Sequence, residues 1–302
     1  MALFELCSRA RACSVPGERG GNLARIHDLG SNVRYAAGLA RALLGAMIFA
    51  LPLTMTMEMW DLGVTIDPFR LAALLGVTFP MLVALSFYAG FEATFSLLDN
   101  VLDAFAATAV SAVACLAVLL LFGAINFETP VQEVVGKLTV LSCGASIGAL
   151  LADKQFNDQR SEEDARRLGQ GFGGRIFVMA VGALFLSLNI APTDEVGLIA
   201  ANINSWLAAT LSCVSLLALG IVLAAADPGT ARASWTCRAR RAFAGYGLCL
   251  LLASFILWCF GRFDGVAFAE AVESVIVLGF PAALGAGAAR LLFGGKGGDQ
   301  DG

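Results

Sequence analysis

Stretches of about 20 residues with few or no charges recur along the chain, and each is long enough to cross the ~30 Å hydrocarbon layer as a helix. Eight are read, at roughly 37–57, 71–92, 104–125, 132–152, 174–192, 203–226, 243–261 and 269–292. The apolar runs show none of the strict alternation of a membrane β-strand, so helices must satisfy the backbone in lipid. The expected fold is all-α, a polytopic membrane helix bundle of about eight transmembrane helices. Pro52, Pro80 and Pro281 fall inside spans one, two and eight and are expected to bend them, since each removes a helical hydrogen bond.

The pattern also repeats. Gly45 to Glu58 reads GAMIFALPLTMTME and Gly182 to Glu195 reads GALFLSLNIAPTDE, with identities at Gly45/Gly182, Ala46/Ala183, Leu51/Leu188, Thr56/Thr193 and Glu58/Glu195, all 137 apart. Spans four and eight agree at seven of 17 positions between Glu133–Ala149 and Glu270–Ala286, again at 137. Spans two and six align at 136, through Leu71-Ala-Ala-Leu-Leu75 and Leu207-Ala-Ala-Thr-Leu211, and spans three and seven at 138, through Phe122-Gly123 and Phe260-Gly261. Four alignments in order at nearly one offset read as an internal duplication. The expected organisation is two parallel four-helix repeats, because an even number of spans returns the second copy in the same orientation. The divisions are a basic, disordered cytoplasmic tail at 1–36, a first repeat at 37–152, a cytoplasmic linker at 153–173, a second repeat at 174–293 and a cytoplasmic tail at 294–302.

Helices associate in lipid through small residues four apart. Gly144 and Gly148 form a GxxxG in span four, and Ala282, Gly285 and Ala286 supply a small face at the matching place in span eight. Spans four and eight are therefore expected to form a tight central pair.

Composition agrees with the pattern: 58% of residues are hydrophobic and 15% charged, against ~25% charged in a soluble domain. Seventeen of the 20 Lys and Arg residues fall in the first tail and at the ends of even-numbered spans, leaving Arg70, Lys137 and Arg262 on the other face with ten acids. Positive charge is retained on the cytoplasmic side, so both termini are expected there and the outer face is acidic. The first 21 residues lack the apolar core of a signal peptide, and no cleavage is expected. Eight cysteines without metal spacing read as small apolar packing residues.

The run Leu51-Pro-Leu-Thr-Met-Thr-Met-Glu-Met-Trp60, following Gly38-Leu-Ala-Arg-Ala42, resembles the opening of an uncharacterised family of bacterial integral membrane proteins of unknown function. The likeness in length and span count extends over about residues 35–293. It implies the membrane class and a bacterial inner-membrane location, and carries no mechanism with it.

Two sets of acids are candidates for a path across the membrane. Glu58, Glu133, Glu195 and Glu270 sit at matching positions near the outer ends of their helices and could ring a cation vestibule. The alternative is that they are hydrated interfacial groups, with Glu133 paired to Lys137 four residues on and Trp60 and Trp206 as aromatic anchors. No Lys or Arg lies between Leu71 and Gly136, and Glu92, Ser96, Asp99 and Asp103 would make one polar stripe at a cytoplasmic loop. That stripe could attract a cation, pair with the basic loop Asp227–Arg241, or be solvated.

Enzyme chemistry has little to build on. The single histidine, His27, lies in the tail, so no metal centre or cofactor is expected within the bilayer. Asp99-Asn-Val-Leu-Asp103 has the DxxxD form with which membrane prenyltransferases hold a metal-diphosphate, but a second such motif is missing. The basic segments suit anionic lipid heads and do not indicate nucleic acid. The reading is a channel or transporter for a small solute, with a cation as one candidate. A non-transporting protein with an assembly or sensing role and a membrane-embedded enzyme are the alternatives. Reporters fused after Arg167 or Arg238 are expected to read cytoplasm, and those after Asp67 or Glu195 the outside. A reporter after Arg238 that reads outside breaks the eight-span arrangement.

Overall fold

A computed structural model of the chain describes residues 40–48, 50–89, 97–156, 172–226 and 234–293. Among these residues every regular element is a helix. We label them in chain order. Residues 41–48 and 50–54 are helical and are taken together as α1. They are followed by α2 (Met57–Thr65), α3 (Pro68–Ala89), α4 (Leu97–Leu121), α5 (Val131–Phe156), α6 (Phe172–Ile190), α7 (Glu195–Asn202), α8 (Ser205–Ala226), α9 (Trp235–Cys259) and α10 (Phe268–Phe293).

Seven of these, α3, α4, α5, α6, α8, α9 and α10, are long and apolar enough to cross a membrane. Two begin earlier than hydropathy alone indicates: α4 starts at Leu97 and α9 at Trp235, against the expected 104 and 243. Asp99, Asp103 and the Arg238–Arg241 cluster interrupt the apolar run without interrupting the helix. The short helices α2 and α7 were not expected at all. Nine and eight residues long, they cannot span, and their mixed composition reads as loop. Pro52 lies within α1, and Pro80 and Pro281 lie inside α3 and α10.

The same local devices close the ends of elements in both halves. Thr56 Oγ1 donates to the Leu53 carbonyl at 2.8 Å and Thr193 Oγ1 to the Ile190 carbonyl at 2.8 Å. Ile66 and Ile203, both extended, end α2 and α7 by donating their N–H to Leu62 and Ile199. Asp67 Oδ1 then accepts the Arg70 N–H, and Asn204 Oδ1 the Leu207 N–H, capping α3 and α8. At the far ends of α4 and α9, Gly123 (φ 69°) and Gly261 (φ 71°) take the left-handed conformation. The N–H groups of Ala124 and Arg262 reach back five residues to Leu119 and Leu257, which is the Schellman termination.

Packing centres on one helix in each half. α5 receives α2, α3 and α4, and α10 receives α6, α7, α8 and α9. α3 packs on α9 and α5 on α6 between the halves. The expected central pairing of spans four and eight is not what forms: α5 and α10 are not among the helix pairs that pack substantially. Their small faces are used within their own halves. Gly285 of α10 lies against Gly182 of α6, where a Cβ on either residue would collide with the other's carbonyl oxygen. Gly144 of α5 faces Leu53 of α1, and a Cβ there would stand 2.5 Å from Leu53 Cδ1. Gly148, Ala282 and Ala286 are buried alongside. A small-xxx-small face permits a close approach without naming the partner, and the helix that arrives is the first of the same half.

This packing makes Gly285 intolerant of any side chain. Gly285→Ala is expected to lower stability by about 1–3 kcal/mol through overpacking, read from chemical unfolding in detergent micelles. Gly76→Ala, where nothing lies within 4 Å, should be neutral or stabilising by up to ~1 kcal/mol on helix propensity. Equal losses at the two positions would show that the close approach does not hold the helices.

Candidate functional site

The rim that carries α2 and α7 is organised by three cations, each held by a carboxylate. Asp67 caps α3 through its side chain, accepting from the backbone of Phe69 and Arg70. The Arg70 guanidinium reaches Asp264 with two parallel bonds, Nη1 to Oδ2 at 2.6 Å and Nη2 to Oδ1 at 2.8 Å. It also lies 5.8 Å over the Trp258 ring, which meets Phe69 in a T-shaped contact and Phe255 in a tilted one. Asp264 stands on a tight turn between Gly261 and Gly265, both at positive φ. Arg262 binds Asp194 at 2.8 Å and the Pro192 carbonyl. Lys137, buried, donates to Glu133 at 2.5 Å and to the Ala124 carbonyl at 3.1 Å.

The four glutamates picked out from the sequence share a local role. Glu58, Glu133, Glu195 and Glu270 each occupy the first turn of a helix, α2, α5, α7 and α10 respectively. There the partial positive charge of the helix N-terminus favours a carboxylate. Glu133 is engaged by Lys137. Glu195 borders an apolar groove of about 760 Å³ between α7 and α8, whose lining contains none of the other three. Glu58 and Glu270 are half-buried. In the acidic stripe, Glu92 and Ser96 lie outside the described residues. Asp99 is exposed in the first turn of α4, and Asp103 accepts from Ser86 Oγ at 3.2 Å.

A second site lies midway along the spans. A cavity of about 180 Å³ opens between α3, α4 and α5, lined by Thr78, Thr108, Thr139, Ser142, Cys143 and Ser146 with apolar neighbours that include Phe79 and Ala112. Thr78 is the eleventh residue of α3, and Thr108 and Ser142 are each the twelfth of α4 and α5. Four hydroxyls donate into their own helices: Thr78 to Leu74 at 2.7 Å, Thr108 to Ala104 at 2.8 Å, Thr139 to Val135 at 2.7 Å and Ser146 to Cys143 at 3.2 Å. The Ser142 hydroxyl is buried beside the Cys115 thiol, makes no intrahelical bond of this kind, and is shielded from the cavity that its residue borders. Two residues beyond Thr78, Pro80 leaves the Gly76 carbonyl without its helical donor.

Residues 38–293 match the family described as "Putative integral membrane protein (DUF2391)". The chain belongs to this family. The match spans α1 to α10, so the cavity and the rim both lie in the family region. No curated protein and no solved structure matches the chain. The family is one of integral membrane proteins of unknown function, and the seven apolar helices agree with that class.

Sequence reading passed over the cavity residues, because serine and threonine within an apolar span are ordinary. No spacing rule links positions on three separate helices, so no signal in the sequence singled them out.

The rim pair gives a pH dependence. Asp264 is held below its ordinary pKa of 3.8, first by the hydrogen bonds from Arg70 and then by that cation's charge. A depressed carboxylate pKa contributes stability above the unfolded-state value and loses it as pH falls through the folded one. Asp264→Asn is therefore expected to lower the thermal midpoint at pH 7, with the gap to wild type closing as pH drops below the ordinary carboxylate range. A gap that persists unchanged at acid pH would assign the loss to packing.

Proposed function

We propose that this protein is a transporter or channel for a small polar solute in the bacterial inner membrane, with both termini in the cytoplasm and the rim outside. The observation that carries this reading is the mid-span cavity between α3, α4 and α5, largely apolar and bordered by threonine and serine residues, beside a helix-breaking proline. A largely apolar site with a few polar residues is the ordinary form of a small-molecule site. The orientation is supported by the seventeen basic residues expected on one face and the acidic rim on the other.

The architecture that goes with it is a duplication of two parallel four-span units, with α1 as the eighth crossing. Support comes from element starts at Met57 and Glu195, Pro68 and Ser205, Leu97 and Trp235, and Val131 and Phe268, which repeat at 137 or 138 residues. The paired caps and Schellman turns recur at the same offsets. Pairs of ancestral identity would also explain why α5 and α10 are the packing centres of their halves.

Purified protein in proteoliposomes should raise the permeation of at least one solute in a panel of urea, acetamide, glycerol, Na⁺, K⁺ and NH₄⁺ above protein-free vesicles. Ser142→Leu, which fills the cavity, is expected to return that flux to the protein-free level while the unfolding midpoint shows a folded chain. Glu58→Gln with Glu195→Gln should slow cation entry alone, more at low salt than at high, if the acidic rim feeds the path. Well-folded wild type that passes none of the panel overturns the transport reading.

A further inference from the structure

The two halves differ in which of their faces are covered. With α1 and α6 in register at 137, the offset of Gly45/Gly182 and Ala46/Ala183, Leu44 and Leu51 of α1 are 55% and 40% exposed, whereas the corresponding Val181 and Leu188 of α6 are each 1%. α4 and α9, in register at 138 through Gly123 and Gly261, repeat the contrast. Leu121 is 79% exposed where Cys259 is fully buried, and Phe122 is exposed where Phe260 is buried. The opposite surface shows the reverse. Residues 140–150 of α5 are buried without a break, yet Leu284 of α10, at the place of Ile147, is 42% exposed. The caps by Asp67 and Asn204 set Arg70 against Leu207; Arg70 reaches across to Asp264, and Leu207 stands exposed. The cause is the joint between the halves, where α3 and α5 of the first lie on α9 and α6 of the second. That contact is head to tail, so it uses each of its two surfaces once and leaves the other copy of each open, α1 with α4 and α8 with α10.

We propose that a second copy of the chain covers these faces, with α8 and α10 of one copy seated against α1 and α4 of the next, repeating between chains the contact that joins the halves within each. The inference rests on the parallel duplication set out above. Parallel halves are what make the repeat possible in a membrane, because a second copy placed by the same contact keeps the orientation in which it was inserted. A head-to-tail contact of this kind builds a ring of copies when its rotation closes. Each open surface also ends in an exposed aromatic residue at the rim, Trp206 at the start of α8 and Phe127 in the turn after α4. These supply the large, rigid side chains that protein interfaces favour. At the places of Arg70 and Asp264 stand Leu207 and Asn126, so the joint between copies carries no ion pair there.

Cross-linking of the full chain in the membranes of expressing cells tests it. With Cys7, Cys13, Cys213 and Cys237 replaced by alanine, the protein is treated with a short bismaleimide before extraction. Asn126→Cys combined with Leu207→Cys should give products of two and more chains, and neither single variant should. Arg70→Cys with Asp264→Cys is the internal control and should bridge within one chain, read by peptide mapping. As a second measurement, Asn126→Asp with Leu207→Arg transplants the rim ion pair to the joint between copies. It should slow dissociation of the oligomer in detergent by up to about fivefold, the range of an exposed pair, with the gain lost at high salt. Dimers from either single variant would set like face on like face, and a double cysteine variant that stays monomeric would leave both faces to lipid. Either overturns the proposal, as does a transplanted pair without effect. If the internal control fails to bridge as well, the duplication reading falls with it; a control that bridges beside a monomeric double variant removes the proposal alone.

Discussion

Two helices in lipid can bring backbone against backbone only where neither carries a side chain at the crossing. The contact of α6 and α10 at Gly182 and Gly285 is of that kind. Apolar side chains gain nothing from leaving lipid for one another, so close packing has to supply the association that water would drive in a soluble core. In the second half this contact sets where α10 runs, and α7, α8 and α9 then pack on α10. Gly45 and Gly148 in the first half of the chain are buried as well. There α5 is the central helix, and its spanning window is 72% buried against 17% for α8, the most lipid-exposed span among those described.

Among the described residues charge lies toward the ends of this packing, and the rim glutamates and cations sit there for local reasons. Glutamates sit where helix N-termini favour anions, and Arg70, Lys137 and Arg262 each hold a carboxylate. Arg70 and Asp264 join the two halves, one at the start of α3 and the other in the turn before α10. Lys137 shows the cost of depth most plainly: being buried, it needs both Glu133 and the Ala124 carbonyl at the end of α4. The shared helix ends are equally local, each satisfying backbone groups that a terminus leaves open.

Away from the helix ends the buried polar residues among those described are serine and threonine, which membrane spans tolerate because their hydroxyls can donate to the carbonyl one turn back. Thr54, Thr78, Thr108 and Ser215 all do so. Ser142 departs from that habit. Its oxygen lies beside the Cys115 thiol instead, shielded from the adjoining cavity. Tyr246, beside Gly279, is another buried hydroxyl without a partner.

The membrane class, the helical fold and the places of seven long spans were legible in the sequence, because a span needs only length and apolarity, and both are one-dimensional properties. The helix terminations were half legible: Phe122-Gly123 and Phe260-Gly261 stood out as a match before their left-handed turns gave the match a cause. Pairings were not. The small faces of spans four and eight are as visible in the sequence as in the fold, yet they meet the first helices of their own halves, since shape complementarity depends on what arrives from elsewhere in the chain. The short helices α2 and α7 were missed for want of length, and the glutamates stood out because charge is conspicuous in an apolar chain, although helix termini account for where they sit. The cavity could not be read at all. Thr78, Thr108 and Ser142 belong to three helices and are individually ordinary, and only the tertiary structure brings them around one void, because a void is a property of the volume that side chains from separate helices fail to fill.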